Sequence, residues 1–278
     1  MARIYYIGDW AIMLGPVFAE TPFNYAHKGT EVMNYGKWLK EALESNGRHE
    51  VVSVPTWEFY SLPPGELERV LDEYDVLIFS DVEAKNFQLA PQFFDRTKFG
   101  REPLTFPDRI RLIVEAINRG THAMFLGGWL SFNGEMGKGG WGRTGLSQVL
   151  PVTCLEVEDL RESTEGFWGQ AVASDHPLIA DVDLASMPPI LGYNIVRARE
   201  DCEVVATWEP TGDPMLAVGQ FGQGRVLAYT SDPAPHWGCN FVYWNQYSTF
   251  WSSAAEWLLS DQETTAVASC QEWTPQTK

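Results

Sequence analysis

The feature that most constrains this chain is a short apolar run, His122-Ala-Met-Phe-Leu126, that ends in the pair Gly127-Gly128. Such a run is typical of a buried strand in an α/β protein, where small residues permit a sharp turn at the end of the strand. In turns of the form Gly-x-Cys-x-Gly or Gly-x-Ser-x-Gly, the central residue is a nucleophile. Here Trp129 takes that position, and an indole neither attacks a carbonyl nor is activated by a base. The sequence therefore predicts an enzyme-like turn that lacks the usual nucleophile.

Apolar runs typical of strands alternate with helical patterns along the first half of the chain. The predicted strands cover 3–8, 50–54, 74–81 and 122–126, and the predicted helices cover 32–45, 63–73 and 106–118. This order predicts an α/β fold with a doubly wound, mostly parallel sheet and helices on both of its faces. In such sheets ligands bind at the carboxyl ends of the strands.

The second half adds shorter strand-like runs and one aromatic helix. Runs at 215–219 and 226–230 flank the turn signal Phe221-Gly-Gln-Gly-Arg225, which predicts an added β-hairpin region, and a helix is predicted over 249–260. No repeat or linker divides the chain, so we expect one domain over 1–261, with 134–225 as an inserted, peripheral β region. The polar residues 262–278 are expected to form a C-terminal tail.

Composition and charge narrow the expected partners. The net charge of −17 disfavours binding to nucleic acid or to an anionic membrane, and no apolar stretch has the length of a membrane helix. The four cysteines show no Cys-x-x-Cys spacing, and no signal peptide pattern precedes the first strand, so we expect reduced thiols in a cytoplasmic protein. The 12 Trp indicate large cores, an oligomer interface or an aromatic-lined pocket. Together with the aromatic stretch 241–251 they lead us to expect a homo-oligomer, and we expect a small-molecule ligand as the other partner.

Polar and aromatic side chains follow four of the predicted strands. The candidate substrate-binding residues are Asp9, Trp10, Asp81, Glu83, Gly128, Trp129, Asn133 and Trp237, and the candidate catalytic residues are His236, Asp232 and Ser131. Acidic side chains that converge at strand ends repel each other, which indicates a ligand, a cation or a proton-transfer role. The alternative is that Asp9, Asp81 and Asp232 only cap the turns or helices that follow.

Several of these segments together resemble the class I glutamine amidotransferase-like superfamily, and more narrowly its glutamine amidotransferase branch. The segments are 74–81, Gly127-Gly-Trp-Leu-Ser-Phe132, Leu150-Pro-Val152, Gly224-Arg-Val226 and Thr230-Ser-Asp-Pro-Ala-Pro-His-Trp-Gly238, within a resemblance that spans roughly residues 1–260. The resemblance implies a flavodoxin-like fold in which a Cys follows a central strand and a His follows a late strand. By position, Trp129 and His236 match these two residues.

The chain departs from this pattern at the positions of the catalytic residues. Glutaminase chemistry needs a thiolate, a His and an acid that orients the His. Trp129 stands in place of the catalytic Cys, and Gly238 stands where a His-x-Glu pattern would put the acid. Cys239 is near His236 in sequence, but local backbone geometry favours a packing role for its thiol. We therefore expect that the chain is not a functional glutamine amidotransferase.

Two classes of function stay open. The first is a hydrolase or lyase that acts on a small polar, sugar-like molecule through His236 and the strand-end carboxylates. The second is a non-catalytic ligand-binding or assembly protein on the same fold. No cofactor is expected, although carboxylates and one His leave a divalent-metal variant open; no His-x-His or His-Glu-x-x-His spacing supports it.

Two loops and a set of indoles are expected to complete the pocket. The excursion after the first strand contains His27, and the glycine-rich loop 134–145 contains Trp141; both are predicted to cover the strand ends. Trp10, Trp129, Trp141 and Trp237 are predicted to form its apolar walls.

Overall fold

A computed structural model describes residues 1–14, 17–20, 24–27, 29–63, 65–95, 97 and 100–260, with 17–20 and 24–27 described by their backbone. The strands are β1 (Ala2–Gly8), β2 (Trp10–Leu14), β3 (Val17–Glu20), β4 (Asn24–His27), β5 (Thr30–Asn34), β6 (His49–Val54), β7 (Val76–Ser80), β8 (His122–Leu126), β9 (Val152–Cys154), β10 (Leu160–Ala171), β11 (Ile190–Asn194), β12 (Val196–Ala198), β13 (Glu203–Glu209), β14 (Pro214–Phe221) and β15 (Gly224–Tyr229). The helices are α1 (Lys37–Glu44), α2 (Thr56–Ser61), α3 (Glu66–Glu73), α4 (Lys85–Gln88), α5 (Arg109–Arg119) and α6 (Tyr247–Leu259).

One sheet of the order β11-β10-β13-β14-β15-β8-β7-β1-β6 forms the centre of the described chain. Its strands β15, β8, β7, β1 and β6 pair in parallel, and the remaining four continue it in antiparallel fashion. The predicted mixed α/β fold is confirmed, and β14 and β15 form the predicted hairpin. No helix in the described ranges is both long enough and apolar enough to cross a membrane.

Alternation along β1 shows how both faces of the sheet are covered. Ile4 and Tyr6 point to the core shared with α1 and α6, whereas Tyr5 and Ile7 point to the core shared with α2, α3 and α5. Because successive side chains of a strand face opposite sides, a strand that is apolar on both faces needs helices on both. This is the doubly wound arrangement, and it leaves the carboxyl ends of the parallel strands at one edge.

The predicted helix over 32–45 is wrong at its start. Residues Thr30–Asn34 form β5, which pairs with β2, and the helix begins only at Lys37. The strands β2 to β5 therefore form an antiparallel arm after β1, because backbone pairing with β2 outweighs the local helical pattern. The side chain of His27, which lies in β4, and the predicted tail 262–278 are outside the described part of the chain.

The region 134–225, predicted as peripheral, contributes strands directly to the central sheet. β10, β13 and β14 extend it beyond β15, and β9 and β12 form a separate two-stranded ladder. The boundaries of the predicted domain stay a prediction.

The aromatic C-terminal stretch fills the chain's own core. Phe241, Tyr247, Phe250 and Trp251 are buried, whereas Tyr243 is 80% exposed. This stretch therefore does not supply the surplus apolar surface on which the expectation of an oligomer was based. The oligomer itself stays a prediction.

Candidate functional site

All five parallel strands contribute to one cavity of about 460 Å³ at their carboxyl ends. The cavity is lined by Asp9, Trp10 and Ala11 after β1, Thr56 after β6, Asp81 after β7, Trp129 and Leu130 after β8, Asp232, Pro235 and His236 after β15, and Tyr35 at the end of the arm. The sheet thus brings together side chains that are as far apart as 227 positions in sequence, from Asp9 to His236.

Asp9 is held by its neighbours on two sides. The Tyr6 hydroxyl donates a hydrogen bond to one oxygen of Asp9, and the Ser80 hydroxyl donates to the other at 2.9 Å. The backbone of Asp9 has a φ of +55°, a conformation that Asp tolerates better than most residues. Directly before it, a Cβ on Gly8 would lie 1.6 Å from the carbonyl oxygen of Ser80, so only glycine permits β1 and β7 to approach here.

Asp81 faces the turn that contains Trp129. Its Oδ1 accepts the backbone N–H of Leu130 at 2.8 Å, and its own N–H donates to the Ser131 hydroxyl at 3.1 Å. A Cβ on Gly128 would lie 2.1 Å from the same Oδ1. The paired glycines of the sequence therefore make room for a carboxyl group from the neighbouring strand.

His236 contacts the third carboxyl group. Its Nδ1 lies 3.3 Å from Oδ2 of Asp232, which is 2% exposed, and the N–H of Ala234 donates to the other Asp232 oxygen. The rings of His236 and Trp129 meet edge to face with their centroids 4.1 Å apart. The two residues that match the family's catalytic pair are thus in contact, as imidazole and indole.

Burial raises the pKa values of all three aspartates, and repulsion adds to the shift for Asp81 and Asp232. Desolvation raises the pKa of Asp9 to about 6. Burial, then repulsion from Asp232 and Asp9, raises the pKa of Asp81 well above its ordinary value, and burial followed by repulsion from Asp9 does the same for Asp232. Burial lowers the pKa of His236. The cavity therefore favours protonated carboxyl groups beside a neutral imidazole.

The turn after β8 is fixed by a buried carboxylate and an amide from the antiparallel half. Asn194 accepts the N–H of Gly128 at 2.9 Å and donates to its carbonyl oxygen at 3.1 Å. Asp159 accepts from the side chain of Asn194 and from the backbone N–H groups of Asn133 and Gly134, each at 2.9 Å. Within the described chain Trp129 is not among the residues with positive φ. The turn is thus held by side-chain hydrogen bonds and does not strain its central residue.

The structure brings six of the predicted site residues to the cavity: Asp9, Trp10, Asp81, Trp129, Asp232 and His236. The other five have different surroundings. Ser131 is buried beneath Asp81, Gly128 bonds to Asn194, and the Asn133 side chain donates to the carbonyl oxygen of Val157. The Glu83 carbonyl oxygen accepts an N–H at the start of α4, and Trp237 is 1% exposed behind the cavity wall.

The loop 134–145 provides none of the residues that line the cavity. Its Trp141 is fully buried against Phe125 and Phe132 and donates to the carbonyl oxygen of Val82. The expectation that Trp141 forms a wall of the pocket is wrong, because the indole fills the core beneath the turn.

The cysteines of the described chain stand apart from the cavity. Cys154, Cys202 and Cys239 are free thiols, and none of them lines it. Burial raises the pKa of Cys154 to about 12, which keeps that thiol protonated. Cys270 lies outside the described residues.

The described residues contain no group of three or more His, Cys, Asp or Glu side chains that is arranged to hold a metal ion. Asp9 and Asp81 already accept hydrogen bonds from their surroundings. A raised carboxyl pKa of this kind is also found where carboxyl groups transfer protons in enzymes.

Among the polar residues of this site that the sequence analysis did not identify are Thr56, Tyr35 and Glu162. Thr56 and Tyr35 line the cavity; the polar residue after the strand 50–54 was a usable signal for Thr56, whereas Tyr35 depends on the arm. Glu162 of β10 accepts the indole N–H groups of Trp129 at 3.0 Å and of Trp237 at 2.7 Å. No sequence pattern relates Glu162 to these indoles, because an antiparallel strand brings them together.

The fold and site define a doubly wound α/β protein with an acidic strand-end cavity and an indole at the turn after β8. Residues 24–260 match the family described as "Putative glutamine amidotransferase", and the chain belongs to this GATase1-like family.

Two solved structures resemble the chain over almost its full length. A cytoplasmic protein from Salmonella typhimurium is 27% identical, with a TM-score of 0.81 over 92% of this chain and 98% of that one. A second, from Salmonella typhimurium LT2, is 28% identical, with a TM-score of 0.79 over 92% and 99%. A cold-adapted β-galactosidase from Rahnella sp. R3, at 14% identity and a TM-score of 0.50 over 93% of this chain and 31% of that one, shares the fold alone. No curated protein matches the chain.

Proposed function

We propose that this protein is a cytoplasmic enzyme that acts on a small polar molecule by general acid–base catalysis, as a hydrolase or lyase, and without a thiol nucleophile. The observation that carries the proposal is the contact of His236 with Asp232 at the wall of a cavity that Asp9 and Asp81 also line. The cytoplasmic location is supported by the two Salmonella typhimurium proteins, which are described as cytoplasmic.

The directions of the pKa shifts indicate which residue acts as the base and which as the acid. A neutral imidazole accepts a proton from water or substrate, and a protonated carboxyl group returns one. Burial lowers the pKa of His236, which suits a base, whereas burial and repulsion raise the pKa of Asp81, which suits an acid. Asp232 orients the imidazole through Nδ1, and Ser131 positions Asp81 by accepting its N–H. In this proposal Ser131 therefore supports the acid and does not attack the substrate.

The lining of the cavity favours an uncharged, sugar-like substrate. No Lys or Arg is found among the residues that line it in the described chain, so an anionic group would have no counter-charge there. Trp10, Trp129 and Tyr35 offer aromatic planes, and the carboxyl groups accept or donate hydrogen bonds to hydroxyl groups.

Three probes of the same ring size test the substrate class: glucose, glucosamine and glucuronate, which are neutral, cationic and anionic. Binding is measured by ligand-observed NMR, and turnover is measured with chromogenic glycosides and with sugar lactones. We expect glucose to bind and glucuronate not to bind. Preferential binding of glucuronate would contradict the proposal. Binding without turnover would favour a non-catalytic ligand-binding protein.

The variants His236→Ala and Trp129→Ala test the site. Each should weaken binding or turnover at least about tenfold, or about 1.4 kcal/mol. Because both side chains are more than 40% exposed, each variant should stay folded, with a loss of no more than about 2 kcal/mol in the free energy of unfolding. Tyr243→Ala, which removes an exposed ring that does not line the cavity, is the control.

We also propose that the chain forms a homo-oligomer through the arm. Ile12, Leu14 and Val32 of β2 and β5 are each more than 50% exposed and share one face of the ladder, since Ile12 pairs with Val32. Exposed apolar side chains grouped in this way are typical of a contact surface. Sedimentation equilibrium should detect an oligomer at micromolar concentration, and Ile12→Glu with Leu14→Glu should dissociate it. A wild-type monomer under the same conditions would contradict this proposal.

A further inference from the structure

Glu162 joins three aromatic side chains of the site through a single oxygen. Its Oε1 accepts the N–H of Trp129 at 3.0 Å and that of Trp237 at 2.7 Å, and it lies 3.9 Å from Nε2 of His236. Trp129 and Trp237 also contact the His236 ring, at centroid distances of 4.1 and 5.3 Å. A carboxylate oxygen with two indole donors is a strong, charge-assisted acceptor.

The backbone of the antiparallel half is shaped to permit this contact. Glu162 lies opposite Gly192 of β11, and the register of the two strands shifts directly after Glu162. A Cβ on Gly192 would lie 2.5 Å from Nε1 of Trp237. Glycine at this position therefore lets the Trp237 indole reach the carboxylate across the strand.

We propose that Glu162 is a positioning residue of the site, which fixes the Trp129 wall against His236 and supplies a negative charge on the Nε2 side of the imidazole. Its role in catalysis depends on the proposed function, but its effect on the two rings does not. Gly238 stands where a His-x-Glu pattern would put an orienting acid. Glu162 faces the imidazole from a different strand.

Three carboxyl groups act on His236: Asp232 on Nδ1, Glu162 on the side of Nε2, and Asp81 through the cavity. The indole N–H of Trp129 lowers the pKa of Glu162, whereas burial raises the pKa of Asp232. Glu162 is therefore ionised over the range in which the imidazole titrates. Its charge favours the protonated form of His236 and partly offsets the effect of burial.

The test uses Glu162→Gln and Glu162→Ala, with Glu165→Gln as the matched control because it removes one charge from an exposed position on the same strand. The readouts are the NMR titration of the His236 imidazole, assigned by its loss in His236→Gln, and the indole N–H resonances of Trp129 and Trp237. Neither readout needs a substrate. Failure of the proposed enzyme activity therefore leaves this test intact.

Glu162→Gln keeps an oxygen acceptor but removes the charge, so we expect the His236 pKa to fall by about 0.5, the size expected of a half-exposed pair, while the indole resonances stay in place. Glu162→Ala should lower the pKa similarly and also shift both indole resonances. Glu165→Gln should change neither. A His236 titration that is unchanged in both Glu162 variants, or indole resonances that are unchanged in Glu162→Ala, would overturn the proposal.

Discussion

The parallel and antiparallel halves of the central sheet contribute to the site in different ways. The parallel half places Asp9, Asp81, Asp232 and His236 around the cavity, each in the segment that follows a parallel strand. The antiparallel half lines no part of it in the described chain. It provides Asp159, Asn194 and Glu162, which hold the turn after β8 and the indole of Trp129. The parallel half thus supplies the residues that line the cavity, and the antiparallel half fixes the turn and the indole beside them.

The largest loss of stability is expected at Asp159, through which the antiparallel half holds the turn after β8. Asp159→Ala removes the acceptor of three hydrogen bonds in a buried setting, so we expect a loss of about 3–5 kcal/mol in the free energy of unfolding, measured with urea. Glu156→Ala, at an exposed position of the same connection, should cost less than about 0.5 kcal/mol. Equal effects of the two substitutions would mean that the buried carboxylate does not fix the turn.

The second-largest effect on stability is expected at Asp9 in the parallel half, and it depends on pH. The pKa of Asp9 is raised from 3.8 to about 6, so the folded state binds this proton more tightly than the unfolded state. Stability from this group is therefore present below pH 3.8 and is lost as the pH rises to about 6, by about 3 kcal/mol in total. Relative to the wild type, Asp9→Asn should become more stable between pH 4 and pH 6.5 in urea unfolding.

Asp181→Asn, at an exposed position, is the control for Asp9 and should follow the wild type at every pH. An Asp9→Asn curve that stays parallel to the wild type would contradict the assignment of a raised pKa to Asp9.

A smaller effect is expected at the contact between the two halves. Trp129→Phe keeps an aromatic ring next to His236 but removes the N–H that Glu162 accepts, so the free energy of unfolding should fall by about 1 kcal/mol. Trp57→Phe on α2, which alters a partly exposed indole on a different element, is the control. If Trp129→Phe costs no more than Trp57→Phe, the hydrogen bond does not join the halves.

The smallest effect on stability is expected at His49, which lies at the opposite end of the parallel strands from Asp9. His49, at the amino end of β6, is 6% exposed, and neither of its ring nitrogens has a hydrogen-bond partner among the described residues. Burial lowers its pKa from 6.5, so the unfolded state binds the proton more tightly and stability falls as the pH drops below 6.5. This sign is opposite to that of Asp9. His49→Leu should reduce the loss on the acid side, as measured by thermal unfolding between pH 7 and pH 5, and an unchanged pH dependence would contradict this.

The parallel half could be predicted well from the sequence because each of its strands is a continuous apolar run that can be identified without knowledge of its partners. Continuous apolar runs define β7 and β8, and a residue within three positions after the end of each parallel strand lines the cavity. The sequence analysis wrongly assigned Trp141 to the pocket wall and the aromatic stretch 241–251 to an apolar surface. The sequence of an aromatic segment does not show whether its side chains pack in the core or remain exposed. Glu162 and Asn194 were missed because their partners depend on antiparallel register, which the alternation of side chains in one strand does not specify.

In the proposed acid–base site, the carboxyl groups at the strand ends keep protons near neutral pH and so supply the acid. Carbon-13 NMR of aspartate-labelled protein measures this directly, with Asp9→Asn, Asp81→Asn and Asp232→Asn used to assign the side-chain carboxyl resonances. We expect the resonances of Asp81 and Asp232 to titrate well above the ordinary value of 3.8, with at least one of them protonated at pH 7. Ordinary titration of all three groups near pH 3.8 would contradict the claim.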